Sequence, residues 1–168
     1  DFVLLAPRRP EAELAWVRSM LGRLGLKLHA EKTRVLDATE DDFVFLGHTH
    51  RWRYQRLYLD VSKKALGRIR DELRRKTRRT GLDLAAMVAD LNSYVRGARH
   101  YFRRVRRRTL STLDRFVTHR IARWWARKHA RPGPAWSLEQ GETLWRQHGL
   151  ERWNLPRALR PADARRAK

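Results

Sequence analysis

The chain has 168 residues, 42% of them hydrophobic, seven Trp, no Cys and a formal net charge of +21 at pH 7. That length suits one domain or two small ones with a buried core, and the apolar content excludes general disorder. The absence of Cys excludes disulfide frameworks and cysteine-based zinc sites and permits a reducing compartment, while no apolar run reaches the roughly 18 residues of a membrane span and no export pattern is readable.

Charge divides the chain. Residues 1–60 carry 10 Lys+Arg against 9 Asp+Glu, residues 61–131 carry 22 against 5, and residues 132–168 carry 7 against 4. A near-neutral unit over 1–60, a basic unit over 61–131 and a basic tail over 132–168 are therefore expected, the middle one facing a polyanion. Arginine predominates there. Guanidinium groups fork onto phosphate and stack on bases, which favours nucleic acid over the competing reading, a membrane-surface helix protein.

In chain order, residues 2–6 form an apolar run stopped by Pro7 and Pro10, the pattern of a buried strand. Asp1 stands directly before it, so the sequence is expected to continue a longer chain. Residues 11–24 predict a helix with Leu14, Val17, Leu21 and Leu24 on one face and Gly25 as its stop. Leu26 and Leu28, Val35 and Leu36, then Phe43, Phe45 and Leu46 predict further strands, the last ended by Gly47. Between residues 49 and 60, Trp52, Tyr54 and Tyr58 alternate with Arg51, Arg53 and Arg56. That pattern suits a hairpin whose aromatics either anchor it to a core or stack bases.

Three basic amphipathic helices follow. The first, over 62–79, places Leu66, Ile69 and Leu73 inside and Lys63, Lys64 and Arg68 outside. The second starts at the N-cap Asp83 and runs through Met87, Leu91 and Val95 to Tyr101 and Phe102. Gly97 within it marks either a close backbone approach or a tolerated glycine. The third is expected to start at a capping box, Ser111 to Asp114, with Leu113, Val117, Ile121 and Trp124 on one face. Between the last two, Arg103, Arg104, Arg106, Arg107 and Arg108 form either a solvated turn or a phosphate clamp. With Arg96, Arg99, Arg120, Arg123, Arg127 and Lys128, they complete the cations expected to meet nucleic acid. Pro132 and Pro134 end the bundle, and residues 137–148 suit a short helix before a frayed tail.

Other chemistry finds little support. Asp37, Glu40, Asp41 and Asp42 are expected to form a solvated acidic loop, and His48 and His50 share a strand face without a third ligand, so no metal site is expected. No phosphate-cradling loop, nucleophile elbow or zinc-deaminase pattern occurs.

Taken together, residues 1–6 (Asp-Phe-Val-Leu-Leu-Ala), residues 24–33 (Leu-Gly-Leu-Lys-Leu-His-Ala-Glu-Lys-Thr), Phe45-Leu46-Gly47, Arg96-Gly97, Tyr101-Phe102, Leu113-Asp114-Arg115-Phe116 and the stretch from Trp124 to His129 resemble group II intron reverse transcriptases, or intron-encoded maturases. The resemblance covers roughly residues 1–136 and includes Gly25 among its structural positions. It implies an α+β fold, a C-terminal remnant of a polymerase palm followed by a three-helix thumb, or maturase domain. It implies partners too: structured group II intron RNA and RNA/DNA template-primer duplex, in splicing and retrohoming, within a cytoplasmic ribonucleoprotein.

By the same resemblance, Asp1 is the second Asp of the family's catalytic pair, insufficient alone for two-metal chemistry, so Mg²⁺ belongs to the full-length family and no cofactor to this chain. Lys32 falls at the position of a lysine near the primer terminus, or is an exposed strand-edge lysine. His29, Ala30, His48 and Ala98 depart from the family's usual residues and put fine binding specificity in question. Two alternatives remain: a stand-alone basic nucleic-acid-binding protein, and an RNA-directed DNA polymerase if the natural chain extends N-terminally. An incomplete palm is also expected to expose apolar surface and to self-associate.

Overall fold

The structure, a computed structural model, describes residues 2–6, 10–129 and 147–154. Its elements run α1 (Pro10–Arg23), β1 (Phe43–Phe45), β2 (His48–Arg53), β3 (Arg56–Val61), α2 (Lys63–Lys76), α3 (Leu84–Tyr101) and α4 (Arg107–His129), an α+β fold. Pro10, with its fixed φ and no N–H to lose, opens α1, and Glu11 and Glu13 sit in its first turn, where the helix dipole favours acid. Gly25 ends it at φ 69° in a Schellman cap, with Leu26 N donating to Leu21 O at 2.9 Å and Gly25 N to Gly22 O at 3.0 Å.

Two strand expectations fail in this part. Residues 2–6 form no strand, and Phe2, Val3, Leu4 and Leu5 are exposed. Residues 26–36 also form none; a turn at His29 gathers the Lys32 and Thr33 N–H groups on the His29 carbonyl. An apolar run becomes a strand only where another strand takes its N–H and C=O groups. Among the described residues no such partner reaches either segment.

The sheet is antiparallel in the order β1-β2-β3, with Phe43 opposite His50 and His50 opposite Leu59. Both of its turns use two residues at positive φ, Leu46 (44°) with Gly47 (76°) and Tyr54 (51°) with Gln55 (57°), whose twist matches that of the strands. The expected hairpin over 49–60 is thus β2–β3. Ser62 then caps α2, its Oγ accepting from Ala65 N at 3.2 Å.

The three basic helices share one core. Ile69 and Leu73 come from α2, Met87, Leu91 and Val95 from α3, and Leu113, Val117, Ile121 and Trp124 from α4, each burying a stripe at spacings of three and four. Each fully buried aliphatic side chain among them stabilises the fold by about 1.5–3 kcal/mol. Gly97 meets no close neighbour: a Cβ built there would face open space.

The expected capping box is corrected. Helix α4 starts at Arg107, four residues before Ser111, and Asp114 lies buried inside it. Its carboxylate instead accepts the Trp153 N–H on Oδ1 at 2.7 Å and the Asn154 N–H on Oδ2 at 3.1 Å. Ser111 Oγ accepts from Asn154 Nδ2 at 2.8 Å. Residues 147–154 form a strap against α3 and α4. Leu150 and Trp153 are buried in the core, and Asn92 bonds the Gly149 carbonyl and the Glu151 N–H, both at 2.7 Å. The short helix expected over 137–148 lies, up to residue 146, outside the described residues, as do Asp1 and the tail from residue 155.

Burial raises the Asp114 carboxyl above its ordinary value, against the two strap N–H groups that lower it. A raised folded-state value means the proton binds the folded chain more tightly than the unfolded one. The Asp114 contribution should therefore be fullest below the unfolded value and decline as pH rises through the folded one. Asp114→Ala, which leaves two strap N–H groups unsatisfied, should lower stability by about 2–4 kcal/mol in urea unfolding. Asp114→Asn should remove this site's pH dependence, seen as a wild-type-minus-variant difference that changes between pH 7 and pH 4.

Candidate nucleic-acid interface

The β1–β2 turn joins the sheet to the bundle. The Leu46 carbonyl accepts from Tyr101 OH at 2.7 Å and from His48 Nδ1 at 3.1 Å, while the Gly47 carbonyl accepts from Ser62 N at 2.9 Å. A Cβ on Gly47 would lie 3.5 Å from Ala65 Cβ and 3.8 Å from the Phe102 ring. Phe45, Leu46, Gly47, Tyr101 and Phe102, separate pieces in the sequence, thus meet at one joint. Gly25 and Gly97 stand apart from it. At β3, Arg106 N donates to Leu59 O at 3.1 Å, the Arg106 guanidinium lies 5.0 Å from the Tyr58 ring centroid, and Thr109 Oγ1 donates to Asp60 Oδ1 at 2.6 Å.

Two open clefts flank this joint and share Leu46 and Tyr101 as a wall. The larger, of about 710 Å³, is apolar with Lys64 and Arg68 at its rim. The smaller, of about 360 Å³, is lined by Phe45, His48, His50 and Leu59 with Arg103 and Arg104.

Which cations are free for a phosphate depends on the acids. Asp42 holds Arg51 and Arg53, Asp71 holds Arg74, Glu72 holds Arg75 and Lys76, and Asp90 also holds Lys76. Arg96 and Arg99 both pair with Glu151 of the strap, at 3.3 and 2.7 Å, and Arg99 also donates to the Arg152 carbonyl at 3.0 Å. With Asp83 capping α3 and Asp114 holding the strap, all five acids of residues 61–131 have internal roles.

The remaining cations named from the sequence have no acidic partner among the described residues. Lys63, Lys64 and Arg68 are exposed on the first turns of α2. Arg103, Arg104, Arg106, Arg107 and Arg108 are exposed at the α3–α4 junction, where Arg107 Nε donates to Asn154 Oδ1 at 3.3 Å. Arg120 Nε donates to Thr77 Oγ1 at 3.0 Å, Arg127 donates to the Thr77 carbonyl at 2.7 Å, and Lys128 donates to the Leu82 carbonyl and lies over the Trp124 ring. Arg123 is exposed beside them. Burial, then repulsion from Arg127, Arg123, Arg74 and Arg78, lowers the Arg120 pKa, so five guanidiniums gather where α4 passes the C-terminal end of α2 and the turn after it.

Sequence reasoning missed Arg74 and Arg78 in that crowd. Arg74 lies in the last turn of α2 and Arg78 in the turn after it, a placement that depends on where the helix ends. Sequence reasoning also missed that Arg70 and Arg74 flank the Phe116 ring at 5.7 and 5.4 Å. Lys32 is exposed in the turn at His29, away from any strand edge. The acidic loop is exposed as expected, and Asp37 is held below its ordinary value by hydrogen bonds from Thr39. Among the described residues no group of three metal-binding side chains forms, and no helix is long and apolar enough to cross a membrane.

Residues 66–145 match the family described as group II intron, maturase-specific domain. This part of the chain is similar to the maturase-specific domain of that family. No curated protein and no solved structure matched the chain. Within the matched residues lie most of α2, all of α3 and α4, and hence the crowded arginines and the junction arginines.

Gly47 holds φ 76° at the joint that leads into this domain. Gly47→Ala should cost about 1–2 kcal/mol from the left-handed backbone, read as a lowered midpoint in thermal unfolding.

Proposed function

We propose that this chain binds structured group II intron RNA and, through its maturase domain, assists intron splicing. The observation that carries this reading is that every acid between residues 61 and 131 is engaged inside the fold, which leaves the cations of α2, α4 and their junction to an outside anion. A shape-defined RNA supplies closely spaced phosphates for such a surface, with Arg forks and Lys point charges releasing counterions on binding. Arg96 and Arg99 serve the strap in this reading, so the phosphate-facing set is narrower than the sequence suggested.

The wider assignment follows the resemblance of the sequence. Residues 1–60 are the end of a reverse-transcriptase palm, the basic helices its thumb, and template-primer duplex and retrohoming belong to the same surface within a cytoplasmic ribonucleoprotein. Mg²⁺ and the remaining polymerase carboxylates belong to the full reverse transcriptase, and the part played here is RNA capture. The exposed side chains of Phe2 to Leu5, with Trp16, Met20 and Leu24, support self-association through this palm segment. Light scattering at high micromolar concentration should report species larger than one chain; a monomer throughout would remove that part of the reading.

The RNA reading is tested by fluorescence anisotropy with a group II intron RNA across a salt series. Lys63→Gln/Lys64→Gln/Arg68→Gln and Arg78→Gln/Arg123→Gln should each weaken binding and reduce the log-log salt slope by about one per lost phosphate contact. Affinity and slope that both stay at the wild-type values would exclude these faces as the RNA surface.

A further inference from the structure

The smaller cleft has a composition that general phosphate binding does not require. Phe43 stacks on His50 with ring centroids 4.7 Å apart and planes 3° from parallel; His50 meets His48 edge-on at 6.5 Å; His48 in turn lies 5.2 Å from Tyr101 and 4.9 Å from Phe102. A row of rings therefore runs from the sheet into the bundle, and His50, His48 and Tyr101 of it line the cleft. Tyr101 remains 52% exposed although its hydroxyl is fixed on the Leu46 carbonyl, so a rigid aromatic face is presented to solvent. At the mouth, Arg103 and Arg104 line the same cleft, exposed and without an acidic partner among the described residues.

We propose that this cleft takes one unpaired nucleotide of the bound RNA, its base added to the row of rings and its phosphates held by Arg103 and Arg104. The inference rests on the RNA-binding reading and deepens it. The volume of about 360 Å³ is within the roughly 300–1,000 Å³ of small-molecule sites, too small for a duplex and adequate for one nucleotide. A base inside a helix has both faces covered by its neighbours, so only an unpaired base can offer a face to the rings. The imidazoles suit this task. Burial, then repulsion from His48, lowers the His50 pKa below its ordinary value, so at neutral pH its ring is an uncharged stacking surface. The alternative use of two neighbouring histidines, metal binding, finds no third ligand among the described residues.

The test uses two end-labelled RNA duplexes of the same length, one fully paired and one with a single bulged 2-aminopurine, together with free AMP as competitor. Anisotropy reports binding and 2-aminopurine fluorescence reports stacking. The wild-type chain should bind the bulged RNA about tenfold more tightly than the paired one and quench its 2-aminopurine, with millimolar AMP failing to reverse the quench. His50→Ala should abolish the preference without changing affinity for the paired duplex, and His50→Phe should retain it. Equal affinity for both RNAs and unquenched fluorescence in the wild-type chain would overturn the proposal while leaving general RNA binding intact. Reversal by AMP would also overturn it, by showing a site for free nucleotide. Binding of neither RNA would remove the RNA reading and this inference with it.

Discussion

The scarcity of acid in the middle of the chain constrains everything else. Between residues 61 and 131, five carboxylates stand against 22 cations, and the fold assigns each carboxylate to holding an element in place. Asp83 fixes the start of α3. Lys76, itself little exposed, bridges from Glu72 within α2 to Asp90 on α3. The exposed Asp71–Arg74 pair within α2 adds local order more than stability. The larger effect is what these pairings leave behind: 22 cations against five carboxylates between residues 61 and 131, an excess of positive charge that a polyanion would relieve.

Asp114 is the exception in both burial and reach. It bonds backbone 39 and 40 residues along the chain and closes the strap over α3 and α4. The strap then delivers Glu151, an acid from outside the basic middle, to Arg96 and Arg99. One buried carboxylate thus decides where the last buried aromatic, Trp153, enters the core and which two arginines are neutralised. The sheet is tied in separately, through the Leu46 carbonyl and the close fit of Gly47 against Ala65 and Phe102.

Local periodicity made much of this legible. Helices α2, α3 and α4 follow from apolar residues three and four apart, and the Ser62 and Asp83 caps from side chains that reach only three residues ahead. What depended on distant partners was not legible. The apolar runs at residues 2–6 and 26–36 carry strand composition, yet a strand exists only with a neighbour, which no local pattern names. Ser111 and Asp114 have capping-box spacing, but the same two side chains serve the strap, a pairing set by tertiary contact. Gly97 drew attention inside a helix where the structure gives it open space; Gly47, at the end of a short strand, is the glycine in close contact. For the interface, net charge could not distinguish Arg96 and Arg99, which meet Glu151, from Arg103 and Arg104, which do not.

The central claim is that the basic surface of the helical bundle recognises intron RNA by its shape and not merely by its charge. The most direct measurement is competition of group II intron RNA against transfer RNA and duplex DNA for the chain as salt is raised. A preference for the intron that persists, while total affinity falls with the counterion-release slope, is the predicted result. Equal affinity for all three nucleic acids at every salt concentration would contradict it and reduce the surface to a general polycation.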